Sequence, residues 1–324
     1  MATPPDTAPA VLTCGEVRTC VLPALQPLDA GAAAALLRLR ADERVRVSER
    51  PNQYALSPET LTGVDCPLPT ANGAKVRVVG TVAVRATLTE GRVLQTTAYF
   101  RAPATGPDRR RPWGHYLMRP GLLEPLGRLP EKEAAQGVLN GGRPGELDLG
   151  LIADGVLTQL LRHPLLDQKV PFKKSRRTRL RWASLPAPDG HGPSIDGFDL
   201  AEDDLRTVRL SVPDGTRPAA VAGLCEDFAL HDWLLTTVVR MLDGRLGSVE
   251  APTALAALRP VVEHLMHLWM PRARGDRALG ALWDVLEQEP GFTRQWRNIS
   301  QRIRDQLALL QTLPYARIPT GEKR

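Results

Sequence analysis

Apolar and polar positions alternate most clearly between Lys75 and Arg101. Val76, Val78, Val82, Val84 and Leu88 fall on one face at period two, the spacing of a strand. Glu90-Gly91 supplies a turn, and Val93–Phe100 returns with the Thr, Tyr and Phe residues that suit a sheet. Gly80, inside the first of these strands, predicts a bulge. Val11–Pro23 reads as a further strand, and Val45, Val47 and Tyr54 as a short pair around Arg50-Pro51-Asn52. Asp29 is placed to cap an Ala/Leu helix over Ala30–Leu39, and Leu147–Leu161 is helical. Arg109–Pro120 is a loop or short helix. Lys173–Trp182 is a basic strand, followed by a Pro/Gly/Asp-rich loop over Pro186–Gly197 and strands at Phe198–Leu200 and Leu205–Val212.

The period then changes to that of helices. Val221, Leu224, Cys225, Phe228, Leu235, Val239 and Leu242 share an arc in a helix over Ala219–Leu242. Further helices are expected over Thr253–Trp269, Ala278–Leu286 and Thr293–Leu313, with Pro260 breaking or kinking the second. The fold class is therefore α+β, with a disordered N-terminus (1–10), a β-rich region (11–216), a helical bundle (217–313) and a flexible tail (314–324). No linker separates the two folded regions, which can share a core.

Composition adds charge to this picture. The net charge is +6 and the pI about 9.4, which permits an acidic partner without requiring one. The helical region holds eleven basic and eleven acidic residues, so the excess lies elsewhere, much of it in Lys169–Arg181. Along that strand Arg177, Arg179 and Arg181 share a face, and Lys173, Lys174 and Arg176 adjoin it. Such a row suits phosphates or an acidic protein, and otherwise protects a sheet edge. Arg109–Arg111 with Trp113 is a second basic-aromatic cluster.

Candidate chemistry is sparse. His231 and Asp232 fall inside the apolar arc of the first helix and are expected as a buried polar pair. The alternative is a metal site formed by Asp227, His231 and His264. Cys14, Cys20 and Cys66 with His115 match no standard zinc spacing and read as free thiols. Phosphate-binding loops, dinucleotide fingerprints, nucleophile elbows and zincin motifs are all missing, which disfavours those enzyme classes. No cofactor is expected. There is no signal-peptide pattern and no apolar run of membrane-spanning length, so the expectation is a cytoplasmic protein with reduced thiols, away from membranes.

Two resemblances bear on function. Arg259-Pro-Val-Val-Glu-His264 has the Arg-x4-His form of the HEPN ribonucleases, four-helix proteins, and implies RNA cleavage by Arg259 and His264 as an alternative to a non-catalytic protein. Pro260 departs from the polar residue that this family more often carries after the Arg. The segments Val11–Cys20, Pro112–Leu117, Leu224–Val239, His267–Pro271 and Pro290–Trp296 resemble a protein family of Streptomyces and related actinomycetes with no established activity. That resemblance implies a multi-component system and assigns no site. The expected function is a non-catalytic adaptor or assembly subunit whose helical region docks a partner protein through its Trp- and Met-rich surface. Nucleic-acid binding through Lys173–Arg181 is the alternative.

Overall fold

The computed structural model describes residues 10–166, 176–243, 259, 262–273 and 276–312. Among them one mixed sheet of ten strands dominates, in an α+β fold. The readings of a disordered segment at 1–10 and a tail at 314–324 fall almost wholly outside the described residues, as do Lys173, Lys174 and most of Thr253–Val261.

The strands are β1 (Ala10–Val21), β2 (Arg46–Ser48), β3 (Tyr54–Leu56), β4 (Thr60–Leu68), β5 (Val76–Thr89), β6 (Val93–Pro103), β7 (Leu123–Pro125), β8 (Thr178–Pro186), β9 (Ser194–Glu202) and β10 (Leu205–Val212). Their order is β2-β3-β5-β6-β1-β8-β10-β9, with β4 and β7 also paired to β5. The helices are α1 (Ala30–Leu36), α2 (Trp113–Leu117), α3 (Glu131–Asn140), α4 (Leu149–Leu161), α5 (Pro218–Asp243), α6 (Gly280–Gln288) and α7 (Phe292–Thr312). The chain divides into two compact units, one of Met1–Leu230 and Arg272–Val285, the other of His231–Pro271 and Leu286–Arg324. The division falls within α5.

In the first unit, alternation along the strands separates two kinds of surface. Val78, Val82 and Val84 of β5 and Ala98 and Phe100 of β6 join a buried apolar cluster with α3 and α4. Ala86, Leu88 and Leu94 join a second cluster with Ala33, Leu36 and Leu37 at α1. The opposite face of the same strands carries Thr81, Arg85, Thr87, Gln95 and Thr97, all buried. The start of α5 satisfies part of that polar face. Glu226 accepts from Arg85 Nε at 2.7 Å and from Thr87 Oγ1 at 3.3 Å, and its carbonyl accepts from Gln95 Nε2 at 2.8 Å. Tyr99 donates to Glu59. Burial raises the Tyr99 pKa, so the phenol stays protonated.

Caps follow local chemistry. Asp29 accepts from Ala32 N and Asp148 from Leu151 N, each filling one of the free amides at a helix start. Glu90 and Gly91 both take positive φ in the turn between β5 and β6. Gly80 is not a bulge, because β4 and β5 keep register through it. A Cβ at Gly80 would lie 2.0 Å from the Leu122 carbonyl oxygen, which accepts from Thr81 N, so the glycine serves close backbone approach.

β8 does not lie at an edge. It runs between β1 and β10, antiparallel to the first and parallel to the second. Trp182 on β8 is fully buried opposite Gly15 of β1, where a Cβ would stand 2.4 Å from the indole. Gly15→Ala should therefore destabilise by about 1–3 kcal/mol through overpacking. Urea unfolding of the two proteins checks this.

Candidate functional site

The described arginines of the basic strand are paired within the chain. Arg179 bonds Glu202 at 2.5 Å and Asp204 at 3.0 Å. Arg181 bonds Glu16 at 2.8 Å and the Leu139 carbonyl at 3.1 Å. Arg177 reaches Asp154 at 3.3 Å and Arg176 reaches Asp203 at 3.5 Å. Period two does put Arg179 and Arg181 on one face, but carboxylates already meet that row, and Arg181 lies against α3. For Asp204, burial alone would raise the pKa; the Arg179 hydrogen bond and charge outweigh it and hold the carboxyl below its ordinary value.

The other sequence candidates are likewise engaged. Asp227 Oδ2 accepts from Arg272 N at 3.0 Å and Trp283 Nε1 at 3.1 Å. His231 Nε2 accepts from Met270 N at 3.2 Å, and its ring meets Trp269 edge-on. His231 and Asp232 are both buried. Exposed Arg259 bonds Glu263 at 2.7 Å, and His264 Nε2 lies 3.8 Å from the other oxygen of the same carboxylate. Among the described residues no group of three His, Cys, Asp or Glu is placed to hold a metal ion. His115 sits instead with Glu124 and Arg119, 3.0 and 2.8 Å away.

The large side chains behind the idea of a helical docking surface are mostly spent on the interior. Trp233, Trp283 and Trp296 are buried, and Trp269 stacks on Trp296 with centroids 4.6 Å apart. No helix among the described residues is long and apolar enough to cross a membrane.

What remains open lies on β4. This strand pairs only with β5 among the described residues. Its outward direction follows from the hydrogen bonds. The Pro67 carbonyl accepts from Leu147 N, and across the ladder Arg77 O and Thr81 N bond Leu126 and Leu122, away from β4. Odd-numbered residues of β4 therefore turn their backbones away from β5. Leu61, Gly63 and Asp65 present N–H and C=O groups along an edge with no strand beside it among the described residues.

The Trp113 ring and the Arg110 guanidinium lie against this edge. The Trp113 indole lies over Gly63, where a Cβ would stand 3.3 Å from Cη2. Leu61, Trp113, Leu117 and Met118 are exposed, Met118 to 77%. Arg110 covers the Trp113 ring at 5.2 Å and pairs with Asp65 at 3.3 Å. Arg109 and Arg111 flank it, exposed. Sequence reasoning found Arg109–Trp113 as a cluster but missed β4, because Gly63 and Pro67 interrupt its strand pattern. Comparison with known protein families, with curated proteins and with solved structures gave no match.

Two predictions follow from these environments. Burial pushes Cys20 up to about 12 and raises Cys14 and Cys225 as well. A thiol-disulfide reagent at pH 8 should thus leave these three unmodified in the folded protein, while half-buried Cys66 reacts slowly and all four react after denaturation. Separately, the depressed Asp204 pKa gives stability that is fully present above the ordinary carboxylate pKa and lost as pH falls through the folded value. Asp204→Asn should flatten the acid limb of a stability-versus-pH curve.

Proposed function

We propose that the protein is a non-catalytic docking subunit of a multi-component assembly, which takes an extended acidic segment of a partner protein onto the free edge of β4. The observation that carries this is the row of outward backbone groups at Leu61, Gly63 and Asp65, beside exposed Trp113, whose short helix ends in exposed Leu117 and Met118. An added strand gains main-chain hydrogen bonds there, and alternate side chains meet the patch. Exposed aromatic and Met side chains next to such an edge are the usual anchors of an interface. Arg109 and Arg111 favour acidic residues in the segment.

This reading keeps the adaptor expected from the sequence and moves its docking surface from the helices to the sheet. It includes residues 217–313 as a helical bundle that serves as support. The cytoplasm is the proposed compartment. Nucleic-acid binding at Arg176, Arg177, Arg179 and Arg181 would need their ion pairs to open. Cleavage by Arg259 and His264 has no geometric feature in its favour.

The test uses hydrogen exchange of the full chain with short synthetic peptides alternating Val and Glu. The amides of Leu61, Gly63 and Asp65 should exchange rapidly in the free protein and become protected with peptide. Leu117→Ser with Met118→Ser, both at exposed positions, should weaken binding about tenfold with little effect on stability. Protection that appears equally with oligothymidine, or with a second copy of the chain at high concentration, would reassign the edge. No protection under any of these conditions would refute the proposal.

A further inference from the structure

Where β2, β5 and the start of α5 meet, the first unit has an open cavity of about 300 Å³. This lies at the lower end of the range for small-molecule sites, roughly 300–1,000 Å³. Its charged walls come from Arg46, Arg85, Arg217, Glu226 and Asp276. Arg85 and Glu226 are the buried pair; Arg217 stands at the surface, 3.6 Å from Asp276. Arg46 is exposed and has no ion pair among the described residues.

Arg85 and Arg217 each face a carboxylate, Glu226 and Asp276, while Arg46 has no counter-ion among the described residues. Arg85 is fixed in place, with Nε on Glu226 and Nη2 on the Ala219 carbonyl at 3.2 Å. Its Nη1 has only the longer approach of Glu59, at 3.9 Å, and so keeps a donor to give. Burial alone would lower the Arg85 pKa, but the Glu226 charge and hydrogen bond outweigh it and the group stays a cation. Gly223 preserves the space, since a Cβ there would stand 3.3 Å from Arg85 Nη2. Leu56 and Tyr54 supply less polar wall.

The geometry points to this cavity as a binding site for a small organic oxyanion, a carboxylate or phosphate group on a short carbon chain. The oxyanion would bridge Arg46 and Arg217 at the mouth, and the chain would lie along Leu56 and Tyr54. An oxyanion gives Arg46 the counter-ion it lacks without opening the Arg85–Glu226 pair. Arg is the residue suited to this role because its planar fork matches oxyanion geometry. The site goes beyond partner docking and uses none of the residues on the β4 edge.

Calorimetric titration at constant ionic strength tests it, with inorganic phosphate, butyrate and butyl phosphate as probes. Saturable binding of at least one probe is expected, tightest for those with a chain. Arg46→Gln and Arg217→Gln should each weaken it about tenfold, the loss of one charge-assisted hydrogen bond, with the melting temperature unchanged. Arg109→Gln, outside the cavity, should leave it intact. Binding of phosphate alone would mark an inorganic-anion site and overturn the organic ligand. Binding that survives the two cavity variants, or no saturable binding at millimolar probe, would overturn the site altogether.

Discussion

The fold depends on satisfying a polar sheet face that has been taken out of water. Strands β5 and β6 are covered on both sides, yet one of their faces is built from Thr, Gln and Arg rather than from aliphatic residues. Unpaired, each such group would cost about 1–3 kcal/mol. Glu226 answers three of them at once, and so fixes both the position and the rotation of residues 218–230 of α5 above the strands. A helix held by apolar contact alone could slide; one held by a buried charge pair cannot shift by a residue without stranding Arg85.

The same logic accounts for the arginines around β8. Three described arginines of Lys169–Arg181 spend their charge within the chain: Arg177, Arg179 and Arg181 clamp β8 to neighbours through Glu16, Asp154, Glu202 and Asp204. These carboxylates lie 23–165 residues away in sequence from their partners. Charge density along a segment and charge available at a surface are different quantities, and only the second attracts a ligand.

Legibility followed the range of the determining interaction. The hairpin of β5 and β6, the cap at Asp29, α4 and α5 were all readable, because period, turn and cap are local signals. β4 was not, since its strand character comes from pairing with β5 and its Gly63 from the indole laid over it. α3 was missed too, its short apolar run being obscured by Glu131, Lys132 and Glu133. Of the proposed docking site, the basic-aromatic loop could be seen and the edge beside it could not. The Arg85–Glu226 pair spans 141 residues and has no sequence signature.

The bond from Leu147 N to the Pro67 carbonyl closes one end of the β4 edge and leaves room for only a short ladder. With each backbone hydrogen bond contributing about 0.5–1.5 kcal/mol net, so few of them hold a visiting strand only briefly. Residence time would then be set by the one or two side chains that rest on Trp113 and Met118, because differences among related complexes lie mainly in dissociation. Under the proposed docking, an edge of this length would act as a clutch more than as a weld: it would engage and release rapidly, and a single substitution in the visitor would change how long it stays.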